Sequence, residues 1–168
     1  MPRPKLDEFD LKILKALQTD GRLTNVELAE RISLSPSPCL RRVRRLESEG
    51  IIDGYSAKIN RGKLGLGLTV FVEVKLERHT AKDAERFGEL VCGLPEVLSC
   101  HLVSGEADFL LEVVLSDLDQ YSKFVLKSLR NIEGIQSVHS RFVLETVKAP
   151  AHLPLPPPSS KDSEDWEG

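Results

Sequence analysis

Ser35-Pro36-Ser37-Pro38-Cys39-Leu40-Arg41-Arg42-Val43-Arg44-Arg45-Leu46-Glu47 decides how the front of this 168-residue chain is read. Two prolines so close together argue against a helix unless they stand at its start. With Ser35 as N-cap, Pro36 and Pro38 take the first and third helical positions, where backbone N–H groups have no partner inside the helix. The prolines then cost no helix hydrogen bond and stiffen the first turn. They leave the N–H groups of Ser37 and Cys39 at the positive end of the helix dipole, where a phosphate fits. Cys39, Val43 and Leu46 recur at helical spacing on one side, while Arg41, Arg42 and Arg45 fall mainly on the other, with Arg44 nearer the packed side. Gly50 stops the helix at about residue 49.

Upstream, Phe9, Ile13, Ala16 and Leu17 share one helical face over residues 7–19, and Asp20-Gly21 ends that run. Thr24 and Glu27 form a capping box for a short second helix over 25–32. Downstream, Ile51-Ile52-Asp53-Gly54-Tyr55-Ser56-Ala57 sets an Asp-Gly turn between two β-like runs and predicts a small hairpin, or wing. Three helices and a wing make a helix-turn-helix domain of residues 1–59.

Residues 60–67 hold three glycines and read as a linker. From Leu68 the apolar period changes from helical to two, with Val70, Val72, Val74 and Leu76 on one face and Phe71, Glu73, Lys75 and Glu77 on the other. A helix through Ala84, Phe87, Val91 and Leu94 follows, then strands over 97–104 and 107–115, a helix over 118–132 and a last strand over 135–147. The order βαββαβ is ferredoxin-like, its two βαβ halves forming a weak internal repeat, so residues 68–148 make an α+β domain behind the helical one. Residues 149–168, with five prolines between Pro150 and Pro158 and an acidic end around Trp166, have the composition of a solvated, disordered tail.

The net charge of −3 conceals an asymmetry: residues 1–60 carry +2 and residues 61–168 carry −5. The only dense like-charge cluster is the arginine run. No apolar stretch approaches the roughly 20 residues of a membrane helix. The first ten residues lack the apolar core of a secretory signal, which points to a cytoplasmic address. Cys39, Cys92 and Cys100 are odd in number with no CxxC pair, and His79, His101, His139 and His152 lie far apart, so neither a disulfide framework nor a metal site is indicated. His101 reads as a packed or interface residue. Ser104 has no His or acid pattern to activate it as a nucleophile, and no constellation assembles a catalytic site, so an enzyme is not expected.

The helix-turn-helix with its Ser-Pro-Ser-Pro helix start, the segment Cys100-His101-Leu102-Val103-Ser104-Gly105-Glu106-Ala107-Asp108-Phe109-Leu110-Leu111, and the pairs Asp20-Gly21-Arg22 and Gly54-Tyr55 together resemble the Lrp/AsnC family, the leucine- and asparagine-responsive or feast/famine transcriptional regulators. The resemblance spans about residues 6–148.

A helix fits the major groove of double-stranded DNA, and arginine bonds guanine or clamps phosphate, so Ser35, Ser37, Pro38, Arg41, Arg42 and Arg45 are the expected DNA contacts. The plainer reading of the arginines is a solvated helix face paired with Glu47 and Glu49. The resemblance further implies a small amino-acid effector, leucine or another, bound between subunits near the Gly-x-x-Asp segment, and no other cofactor. Asp108 is the candidate for its ammonium, the turn Ser104-Gly105-Glu106 supplies N–H groups, and Leu102, Val103 and Leu118 supply apolar walls. The plainer reading is a tight hairpin turn with its acids capping the loop. Dimers formed through the second domain, gathered into octamers associated with the nucleoid, are implied in the same way. The alternative function is an effector-independent, nucleoid-organising DNA-binding protein, marked by steep salt dependence and little sequence preference.

Overall fold

The computed structural model describes residues 5–78 and 80–158, so Trp166 and the acidic end lie outside the described residues. The chain divides into two compact units: residues up to Lys58 together with those from Lys148 on, and Ile59–Val147. Among the described residues no helix is long and apolar enough to cross a membrane.

The first unit is built from α1 (Glu8–Thr19), α2 (Asn25–Arg31) and α3 (Pro36–Ser48). Both expected signals around α2 and α3 operate. Thr24 and Glu27 form the reciprocal capping box, and Pro36 opens α3 behind Ser35. Two Schellman turns close α2 and α3. Ser33 and Leu34 donate to the carbonyls of Glu30 and Ala29, and Gly50 and Ile51 to those of Glu47 and Leu46. Gly50 takes the left-handed backbone such a turn needs, at φ +66°, but at the other turn it is Ser33 that stands at φ +59°. Ile13, Leu28, Ala29, Ile32, Cys39 and Leu46 are the buried centre of the unit.

The segment expected as a wing carries no strand pair. The N–H groups of Ile51 and Ile52 both turn back to the carbonyl of Leu46, so they are not available to a partner strand, and their side chains pack on the helical core. Residues 149–158 likewise have no helix or strand. They are nonetheless not detached, because Leu155 packs against the same helical core.

The second unit has the expected βαββαβ order: β1 (Leu68–Leu76), α4 (Ala81–Cys92), β2 (Val97–Leu102), β3 (Phe109–Leu115), α5 (Leu118–Lys123) and β4 (Ile135–Phe142). The sheet order is β2-β3-β1-β4, antiparallel throughout. Val70, Val72 and Val74 meet Val113, Leu111 and Phe109 across the β1–β3 ladder, and the helices cover that face through Phe87, Val91, Phe124 and Leu129.

β2 and β3 stop and start two residues further from their connecting turn than expected, at Leu102 and Phe109, and three larger differences stand beside them. β4 ends at Phe142 rather than 147 because β1 runs out: Val143 makes a last bond to Thr69 near the start of β1. The helix expected over 118–132 changes winding after Lys123, passing through a π turn (Phe124–Ser128) and a 3₁₀ turn (Leu129–Asn131). Phe124 and Leu129 are both buried yet five residues apart, about 140° apart on an ideal α-helix, and the wider π winding brings them onto one side. Finally, the expected linker contains a 3₁₀ turn (Gly62–Leu64) and is pinned to the sheet by Arg61, whose Nη1 lies 3.0 Å from Glu112 Oε1.

Candidate nucleic-acid interface and effector site

The four arginines of α3 have two different fates. Arg42 Nη1 donates to Asp7 Oδ2 at 2.6 Å and to Asp10 Oδ1 at 2.8 Å, and Arg45 Nη2 donates to Asp10 Oδ2 at 2.5 Å. The same two aspartates cap α1: Asp7 Oδ1 accepts the Asp10 N–H, and Asp10 Oδ2 accepts the Asp7 N–H. Asp10 is only 1% exposed, so its charge is matched by two guanidinium groups and the capping N–H of Asp7 rather than by water. Burial pushes the Asp7 carboxyl up, but the Asp10 N–H and the Arg42 guanidinium outweigh it and hold it below the usual carboxylate value. Arg42 also lies over the Phe9 ring, 5.5 Å from its centroid.

Arg41 and Arg44 instead point outward, exposed and without an ion pair among the described residues. The placement of Arg44 reverses the sequence reading, which set it nearer the packed side. Ser35 and Ser37 are exposed and Pro38 is half-buried. The Ser35 side chain makes no cap bond, so its hydroxyl is available at the helix start. The N–H of Cys39, expected to be unpaired, donates to the Ser35 carbonyl at 3.2 Å, an ordinary helix bond. Asn25 ties the first turn of α3 to α2 by donating from Nδ2 to the Pro36 carbonyl at 2.8 Å. The pairing of Asp7 and Asp10 with Arg42 and Arg45 has a sequence signal that the reading missed: both pairs are spaced i, i+3, so each presents its charges on one helix face.

In the second unit, residues 103–108 turn β2 into β3. Val103 N–H donates to the Asp108 carbonyl, and Asp108 N–H to the Val74 carbonyl. Gly105 sits at φ +128°, a backbone that side-chain-bearing residues rarely adopt. The Asp108 carboxylate is fixed to the central strand, its Oδ2 accepting the Leu76 N–H at 2.7 Å. Ser104, Gly105 and Glu106 are exposed at the tip, Val103 is half-buried, and Leu102 is 71% exposed.

Beside this turn, on the sheet face opposite the helices, is a cavity of about 250 Å³ lined by Glu73, Lys75, Glu106, Ala107, Ser137 and His139. Only Glu106 among these is a site residue of the sequence reading, since alternation marks Glu73 and Lys75 as outward-facing without saying what they face. Leu118 is not brought to the turn. Leu102 pairs with Phe109 at one end of β3, whereas Leu118 follows the other end, Leu115, about 20 Å away at the rise of a strand.

Residues 6–53 match the winged helix-turn-helix DNA-binding family description, and residues 69–153 match the Lrp/AsnC ligand binding domain. The leucine-responsive regulatory proteins of Klebsiella pneumoniae and Escherichia coli (strain K12) are each 44% identical over 147 residues, 88% of this chain and 90% of theirs. The chain belongs to the Lrp/AsnC family. Solved Lrp/AsnC-like structures superpose along almost its whole length. A transcriptional regulator of Neisseria meningitidis in complex with L-Met is 46% identical, with a TM-score of 0.84 over 89% of this chain and 96% of that one. An AsnC family transcriptional regulator of Agrobacterium tumefaciens is 36% identical, with a TM-score of 0.84 over 89% and 97%. As an Lrp/AsnC transcriptional regulator, the chain is organised as a DNA-binding unit followed by a ligand-binding unit. The two family pairs quoted from the sequence meet in the first unit: a Cβ on Gly21 would stand 3.4 Å from the Tyr55 ring, while Tyr55 Oη donates to Glu47 at 3.0 Å.

Proposed function

We propose that this chain is a sequence-specific regulator that reads double-stranded DNA with the first turns of α3, and that a small amino acid bound at the β2–β3 turn sets its DNA binding or assembly. Exposed Arg41 and Arg44, with the Ser35 hydroxyl free of a cap bond at the helix start, carry the DNA reading: they are the guanidinium groups of α3 with no carboxylate to satisfy them among the described residues. Arg41 and Arg44 contact bases or phosphates, with Ser35, Ser37 and Pro38 at the helix start. Arg42 and Arg45, bound by Asp7 and Asp10, act on DNA chiefly by fixing the pose of α3.

For the effector, the turn supplies what a zwitterion requires. The exposed backbone of Ser104, Gly105 and Glu106 offers N–H groups, the cavity beside it carries Lys75 for a carboxylate and Glu73 and Glu106 for an ammonium, and Asp108 is held in a fixed orientation by Leu76. L-Met in the Neisseria meningitidis relative supports an amino acid as the ligand class. Leu118 joins such a site only from a second copy, which fits a dimer or larger assembly of the second unit, and Leu102, 71% exposed, and Leu118, 60% exposed, are apolar surfaces for that contact. No reaction is assigned to the chain, and its place of work is the chromosome.

The test is binding by fluorescence anisotropy to a duplex selected from a random library, with and without each of the common amino acids at millimolar concentration. Selection of a defined motif, with affinity or stoichiometry changed by one or a few amino acids, is the expected result. Equal binding to every duplex, indifferent to all of them, contradicts it.

A further inference from the structure

After β4 the chain returns to the DNA-binding unit, residues from Lys148 on grouping with it. Gln18, near the end of α1, uses both ends of its amide on one backbone position. Leu153 N–H donates to Gln18 Oε1 at 2.5 Å, and Gln18 Nε2 donates to the Leu153 carbonyl at 3.3 Å. This two-way bond resembles the contact a neighbouring strand makes with an extended chain. Two residues further on, Leu155 is half-buried against the helical core, while Leu153 stays 75% exposed.

We propose that the helix-turn-helix unit carries a docking seam for a leucine-proline peptide along the end of α1, and that residues 148–158 of the same chain are its ligand. The DNA-binding unit is thereby joined to the effector unit by two chain connections, at residues 58–59 and 147–148, rather than one.

The composition that predicts a solvated tail also makes it a good ligand. Pro154, Pro156, Pro157 and Pro158 fix φ before docking, so little backbone freedom is lost when Leu155 seats. Specificity comes from the Gln18 amide, which accepts an extended backbone, and from one apolar socket for Leu155. The occupied seam leaves Ser35, Ser37, Arg41 and Arg44 exposed, so the docked segment and a DNA duplex do not compete. Leu155 lies beyond the residues matched by either family description, and Leu153 is the last residue of the matched range.

Hydrogen exchange at the Leu153 amide in the full-length protein tests the docking. In the parent protein this amide exchanges about tenfold slower than in a free peptide of residues 148–158, the effect of one net hydrogen bond. Gln18→Ala and Leu155→Ser each return it to the free-peptide rate. Gln18→Glu, which keeps the acceptor, retains part of the protection, and none of the three changes DNA affinity. A parent amide exchanging at the free rate, or one indifferent to Gln18→Ala and Leu155→Ser, overturns the proposal. Gln18→Cys with Leu153→Cys, in a Cys92→Ser background, is then treated with a short bismaleimide. An intrachain product is expected, and a covalent dimer or no product contradicts a ligand in the same chain.

Discussion

Arg42 Nη1 lies 2.8 Å from Asp10 Oδ1, a carboxylate that is 1% exposed, and so joins the middle of α3 to the first turn of α1. Removing either partner strands charge against the core. Because Arg42 itself is partly solvated, its truncation costs less than a fully buried pair would. Arg42→Ala is expected to destabilise the first unit by about 1–3 kcal/mol and Asp10→Ala by more, since the latter also breaks the capping box. Urea unfolding monitored on the helical signal measures both. Arg41→Ala, at an exposed position without a carboxylate partner among the described residues, should stay within about 0.5 kcal/mol.

Acid sensitivity follows from the sign of the Asp7 shift. Its folded value is depressed, so its contribution is complete above the unfolded carboxylate value of about 3.9 and is lost as pH falls through the lower folded value. Glu27 behaves in the same direction, held down by the backbone N–H and hydroxyl of Thr24. Helix-turn-helix stability should therefore fall below about pH 4, and Asp7→Asn should flatten that fall. Thermal midpoints from pH 3 to 7 show it; a variant with the parent's acid dependence would assign the loss to other groups.

The two Schellman turns give a matched pair of substitutions. Ser33 holds φ +59° where glycine is the unstrained residue, and Gly50 holds φ +66° with open space where a Cβ would stand. Ser33→Gly should stabilise by about 0.5–1 kcal/mol and Gly50→Ala destabilise by about 1 kcal/mol, through backbone strain alone. Shifts of the unfolding midpoint in opposite directions are the expected readout.

An amino acid present at 100 times its dissociation constant should stabilise the folded protein by about 2.7 kcal/mol, visible as a raised thermal midpoint in a panel of the twenty amino acids. Asp108→Ala should abolish the response and also cost about 1–3 kcal/mol, because the Leu76 N–H loses its acceptor. A flat panel with the parent protein would favour a DNA-organising protein that needs no effector.

Much of this organisation is visible in the residues because it is local. The Thr24 and Glu27 box, the prolines behind Ser35, the Gly50 stop and the alternation from Val70 to Leu76 each act within a few positions. What escaped the sequence depends on distant partners. Periodicity alone separates packed from solvent-facing arginines by angle, and it cannot know that Asp7 and Asp10, some thirty positions earlier, are waiting for Arg42 and Arg45. No strand pair forms across Asp53-Gly54, where the N–H groups of Ile51 and Ile52 turn to Leu46, and the proline-rich segment meets Gln18 through Leu153. The β2–β3 turn is legible at Gly105 and Asp108, whereas its neighbours Glu73, Lys75 and His139 arrive from β1 and β4 only through strand register.

The division of labour among the arginines is the central claim, and one comparison tests it most directly: affinity for a selected duplex at a fixed salt concentration, alongside unfolding free energy, for Arg41→Ala/Arg44→Ala and Arg42→Ala/Arg45→Ala. The account predicts that the first pair loses about 1–3 kcal/mol of DNA binding per base contact removed, at parent stability, while the second loses stability first. Full DNA affinity in the Arg41→Ala/Arg44→Ala protein, or parent stability with abolished binding in the other, would contradict it.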